Sequence, residues 1–102
     1  MGSEKVATAP ELLSPQDDVV LARAGVEFRW REVSGSLFYE VHLVTAEGDL
    51  VWARQAQRAR AEVPKEIQLV PGQKYYVWVV AHLPEGRRLK SRAVSFRVAE
   101  DR

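Results

Sequence analysis

Leu69-Val70-Pro71-Gly72-Gln73-Lys74-Tyr75-Tyr76-Val77-Trp78-Val79-Val80-Ala81 is the stretch that decides the fold. The proline ring presets φ at Pro71 and the glycine tolerates a positive φ at Gly72, which together make a tight corner. From Tyr75 onward the run is β-branched and aromatic, the composition of a strand and not of a helix. Alternation along that strand sends Tyr75, Val77 and Val79 to one face. Tyr76, Trp78, Val80 and His82 go to the other.

The same reading extends in both directions. Val26-Glu27-Phe28-Arg29-Trp30 alternates apolar and charged residues as a half-buried strand does. After the Ser34-Gly35 turn, Leu37 to Val44 places Leu37, Tyr39, Val41 and Leu43 on one face. Phe38, Glu40, His42 and Val44 fall on the opposite face. Glu47-Gly48-Asp49 closes a hairpin into Leu50-Val51-Trp52. Toward the N-terminus, Pro10 to Pro15 reads as a proline-broken edge strand, and Val19-Val20-Leu21 as a second short edge segment. Toward the C-terminus, Leu83 to Arg87 forms a further hairpin loop. The last strand, Ala93 to Val98, turns Val94, Phe96 and Val98 inward. Ala53 to Ala61 favours helix by propensity but has almost no large apolar residue with which to dock one. It is expected to be a ragged edge strand ending, after a loop, in Ala59 to Val63. About seven short strands separated by turns indicate an all-β, immunoglobulin-like antiparallel sandwich over residues 10–99. Residues 1–9 are expected to be a loose tail or a cloning remnant, and residues 100–102 a frayed end.

Composition narrows the function classes. The chain has 102 residues, 46% of them hydrophobic and 28% charged, which fits one soluble domain able to bury its own core. A formal net charge of +1 provides no bulk field to recruit nucleic acid or a membrane. There is no cysteine, so disulfides, thiolate catalysis and cysteine-ligated zinc are excluded. No apolar run reaches the ~20 residues of a membrane span, and no apolar leader opens the chain.

The spaced residues Trp30, Tyr39 and Leu69-Val70-Pro71-Gly72-Gln73-Lys74-Tyr75, leading into Val77, Val79 and Ala81, resemble a fibronectin type III domain. The resemblance covers residues 10–99. It implies that Trp30 fills the centre of the sandwich and that Leu69 plugs the core. It also implies that Tyr75 makes a tyrosine corner with upstream backbone. Leu12-Leu13-Ser14-Pro15 and Phe28-Arg29-Trp30 are similar to the bacterial variety of the module. That variety implies attachment to membrane-anchored regulators, surface proteins or secreted hydrolases, and hence a periplasmic or cell-surface parent protein. The integrin-binding Arg-Gly-Asp tripeptide of some animal members is absent, because Glu47-Gly48-Asp49 lacks the arginine.

No catalytic, cofactor-binding or metal-binding set stands out. His42 and His82 are the only histidines. If the strands bearing them pair antiparallel, they lie four positions apart, roughly 13 Å, too far for a shared metal. Two solvated histidines without a carboxylate orienter are the expectation. Gly72-Gln73-Lys74 lacks the glycine spacing and following helix of a phosphate loop. The basic groups Arg54, Arg58, Arg60 and Arg87, Arg88, Lys90, Arg92 read as edge protection. Anionic-polymer binding through those arginines is the alternative, weakened by the lack of interleaved aromatics. The least ordinary feature is the outward set Phe38, His42, Tyr76, Trp78 and Val80, where a solvent face would carry charges. These residues indicate a non-catalytic binding or spacer module whose outer sheet face meets a protein partner, a neighbouring domain or a second copy.

Overall fold

The computed structural model describes residues 8–100. The expected tail at residues 1–9 falls mostly outside that range, as do residues 101 and 102 at the other end. Nine strands follow in chain order: β1 (Leu12–Ser14), β2 (Val19–Leu21), β3 (Glu27–Trp30), β4 (Phe38–Thr45), β5 (Leu50–Ala56), β6 (Arg60–Glu62), β7 (Lys74–His82), β8 (Arg88–Lys90) and β9 (Val94–Val98). They form two sheets packed as a sandwich. The smaller has the order β1-β3-β6; the larger has the order β2-β9-β7-β4-β5, with β8 beside the end of β7.

The corner before β7 has the geometry its residues require. Gly72 has φ +81°, and the Gln73 N–H donates to the Val70 carbonyl at 3.1 Å, closing the turn. Beyond it, β7 alternates strictly between buried and half-buried residues over its whole length. It pairs antiparallel with β4 from Phe38↔His82 to Thr45↔Tyr75. These two long strands form the spine of the larger sheet.

The core lies between the sheets. Phe28 of β3 meets Phe96 of β9 at 5.7 Å and Trp52 of β5 at 6.4 Å between ring centroids. Trp30 of β3 meets Tyr39 of β4 edge-on at 5.4 Å. Aromatic rings thus bridge the layers, and Val41, Leu43, Val77 and Val79 fill the space around them with no exposed surface. Each such ring adds a large apolar area and a preferred tilted contact, which fixes one relative placement of the sheets. Leu69 is also buried.

Several details differ from the sequence reading. Leu37 does not join the core face. It precedes β4 and is 57% exposed, whereas Leu83, just past the end of β7, is buried. Alternation assigns a face only while the backbone is pleated, and Leu37 is still leaving the Ser34-Gly35 turn. The sandwich is not wholly antiparallel, because β2 pairs parallel with β9 through Val19↔Phe96 to Leu21↔Val98. The ambiguous stretch divides in two: residues up to Ala56 continue β5 against β4, and β6 pairs with β3 on the other sheet. Where one last strand was expected, the chain makes two, β8 and β9, separated at residues 91–93.

Candidate functional site: the outer face of the larger sheet

The outward residues of β4 and β7 form a layer of their own. The ladder sets His42 opposite Trp78 and Phe38 opposite His82. Each pair stacks nearly parallel, His42 on Trp78 at 5.2 Å and Phe38 on His82 at 4.4 Å, both tilted by 13°. Cross-strand neighbours on one face of a sheet stand close enough for such ring contacts. Lysines extend over the rings, with Lys90 Nζ 4.7 Å from the Trp78 centroid and Lys74 Nζ 5.5 Å from that of Tyr76. Both distances are within cation–π reach.

Glu40 sits between the histidines. Its Oε1 is 2.9 Å from His82 Nε2 and 3.9 Å from His42 Nε2. The expectation of two histidines lacking a carboxylate partner is therefore corrected. Strand rise separates the backbones, but the imidazoles lean inward along the strands, one along β4 and one diagonally from β7, toward the same oxygen. Diagonal neighbours across a ladder are within reach of long side chains. Sequence spacing alone gives backbone separation and misses this convergence. Among the described residues, no group of three or more histidine, cysteine, aspartate or glutamate side chains has a metal-holding arrangement.

Phe38, His42, Tyr76, Trp78 and Val80 face outward, as alternation requires, yet each is half-buried and none is fully exposed. The rings and lysine stems cover one another. The exposed large apolar residues among those described are instead Leu13, Val20, Leu37, Leu50 and Val70.

The two arginine groups take different places. Arg54, Arg58 and Arg60 line an open groove between the edges β5 and β6. Arg60 and Arg29 approach Glu27 at 3.9 and 3.4 Å. On the other flank, β8 sets Arg88 opposite His82 and Lys90 opposite Val80. The sequence reading found no aromatics among the basic residues; the fold brings Lys90 onto Trp78.

Side-chain hydrogen bonds hold the frame beneath this face. The Val70 N–H donates to the Tyr75 hydroxyl at 2.8 Å, the tyrosine corner. A second tyrosine repeats the device, since the buried Val33 N–H donates to the Tyr39 hydroxyl at 3.0 Å. At the break between β8 and β9, Ser91 Oγ accepts from the Val79 N–H and donates to the Arg92 carbonyl, each at 2.9 Å. Asp17 Oδ1 accepts from Ser95 N–H at 2.8 Å and Ser95 Oγ at 3.1 Å. The Ser95 backbone bond, followed by its hydroxyl bond, holds the Asp17 carboxyl below its usual range. Sequence reasoning missed Tyr39's bond, Ser91 and Asp17, because a lone serine or aspartate carries no periodic signal.

With this geometry, the solved structures it resembles are consistent among themselves. The fibronectin type III domain of the human collagen α-1(XX) chain aligns over 99% of this chain and 93% of its own, with a TM-score of 0.73 and 21% identity. The fibronectin(III)-like modules of CbhA from Clostridium thermocellum align over 88% and 94%, at 0.62 and 19%. CopC from Methylosinus trichosporium OB3b aligns over 91% and 98%, at 0.54 and 19%. No family model and no curated protein matches the sequence. The chain therefore has the fibronectin type III-like, immunoglobulin-like sandwich fold.

Proposed function

We propose that this domain is a binding or spacer module of a larger, extracytoplasmic bacterial protein, and that it meets a protein partner or adjacent domain through the outer face of β4 and β7. One observation carries this reading: that face presents two stacked ring pairs, Phe38–His82 and His42–Trp78, where a solvated sheet face presents charges. Rings held by neighbours on both strands are rigid, so little conformational entropy is lost when a partner covers them. Aromatic residues are also enriched in the anchors of protein interfaces. The module's likeness to domains of a collagen chain and of CbhA supports attachment to a longer chain outside the cytoplasm.

Hydrogen exchange on this domain, alone and within its parent protein, tests the proposal. Protection gained at Trp78, Val80 and His42 in the parent is the expected result. Unchanged exchange there, with protection gained only at the rims or termini, would mean that the face is a solvated surface. Sedimentation of the isolated domain and its Trp78→Ser variant reads the second-copy arm. Anionic-polymer binding through the two basic groups, Arg54, Arg58, Arg60 and Arg87, Arg88, Lys90, Arg92, is the alternative, and the groove that the first group lines favours it.

A further inference from the structure

The charges on this face are unequally placed. Residues directly opposite in an antiparallel ladder project to the same side. Lys90 opposes Val80, Arg88 opposes His82, and Arg97 opposes Lys74. Arg88 and Lys90 of β8 lie beside one end of β7, and Arg97 of β9 lies beside Lys74 at its other end. On the other flank, β5 contributes Ala53 opposite His42 and Gln55 opposite Glu40, both uncharged. Two carboxylates are found on or beside the face, and both are engaged. Glu40 is bonded to His82, and Asp17 to the Ser95 N–H and hydroxyl. Glu47 and Asp49 belong to the turn beyond the end of β4. Among the described residues, no carboxylate lies within ion-pair distance of Arg88, Lys90 or Arg97.

We infer that the face receives a protein surface with an apolar centre bordered on one side by carboxylates, which meet Lys90, Arg88, Lys74 and Arg97. This rests on the reading of the face as a contact surface. The apolar part of the partner covers Trp78, Val80 and Phe38; its acidic border answers four cations that form no ion pair among the described residues, two of which, Lys90 and Lys74, rest over rings. Complementary charge of this kind sets orientation and accelerates encounter. A second copy fits poorly, because an identical face offers only Glu40 and Asp17 as carboxylates, already bonded to His82 and Ser95. A bare polyanion would answer the cationic flank and leave the rings uncovered.

The test uses two short peptides titrated into the isotopically labelled domain. One has glutamates and aspartates beside a Trp-Leu-Phe centre; the other replaces every acid by its amide. Single-stranded oligothymidylate is the third probe. The acidic peptide is expected to shift the Trp78, Val80 and Lys90 amides and to bind roughly tenfold tighter than the amide copy. Lys90→Glu with Arg88→Glu should abolish that difference, and Trp78→Ser should weaken both peptides. Tyr76→Ser is the second ring variant should Trp78→Ser fail to fold. Equal binding of the two peptides overturns the acidic partner and leaves the contact face standing. No shift on this face with either peptide overturns both. Oligothymidylate binding that survives Trp78→Ser replaces the protein partner by a polyanion.

Discussion

Two tyrosine hydroxyls carry out the same task in different surroundings, and the difference sets their worth. Tyr39 accepts from Val33, which is buried, so Tyr39→Phe leaves an amide that water cannot reach. The expected loss is about 1–3 kcal/mol. Tyr75 accepts from Val70, whose residue is 53% exposed, so water can take over that amide in Tyr75→Phe. The loss there should lie near the lower end, about 1 kcal/mol. Urea denaturation of both variants checks the order; a larger loss for Tyr75→Phe would mean that solvent access is not what distinguishes them. Trp30 is a different case, because its ring is packed at the sandwich centre, 2% exposed. Trp30→Ala should cost about 3–5 kcal/mol through lost packing. Trp30 and Tyr75 stood out in the sequence by their spacing. Tyr39 was assigned to the core, but its bond was invisible, since Val33 reaches it only through the turn between β3 and β4.

Asp17, just before β2, adds its carboxylate bonds to Ser95 to the ladder between β2 and β9. Its carboxyl is depressed when folded, so the bonds to Ser95 add stability above the unfolded value and lose it as pH falls through the folded one. Below the usual carboxylate range, β2 should therefore loosen from β9 before the β4–β7 spine opens. Acid titration followed by the amide signals of Val19 to Leu21 reads this directly. Asp17→Asn should flatten that acid-side slope; an unchanged slope would assign it to other carboxylates. The break between β8 and β9 rests on Ser91. Val79 is fully buried, and its N–H is met by the serine hydroxyl. Ser91→Ala should cost about 1–3 kcal/mol and speed exchange at Val79, whereas an apolar face elsewhere would tolerate the change. Elements of this kind were half legible. Turn residues and alternation marked β3, β4, β5, β7 and β9. The parallel partner of β2, and the division of residues 53–61 between two sheets, depend on pairing between segments far apart in sequence, which no local pattern encodes.

Across the whole molecule, rings between the sheets and rings on the outer face of β7 should respond unequally to substitution. Phe28→Ala removes a ring that touches Trp52 and Phe96 between the sheets and should cost about 3–5 kcal/mol. Trp78→Ser removes a half-buried ring whose contacts are His42 and the Lys90 ammonium. A cation–π contact at an exposed site is worth about 0.5–1 kcal/mol, so the folding loss should be several-fold smaller. Thermal or chemical unfolding of the two variants decides the point: comparable losses would make Trp78 a structural residue and remove the contact face. The sequence by itself determined that this chain is a β-sandwich, which side chains of β4 and β7 face inward, and that the corner at Pro71-Gly72 leads into the central strand. Period-two alternation and turn chemistry are local properties, and they survive being read one segment at a time. Only the tertiary structure decided that Glu40 lies between His42 and His82, that Lys90 covers Trp78, and that the cations gather on one flank. Those contacts join residues from separate strands, and their geometry follows from ladder register and side-chain reach, quantities that exist only once the strands have paired.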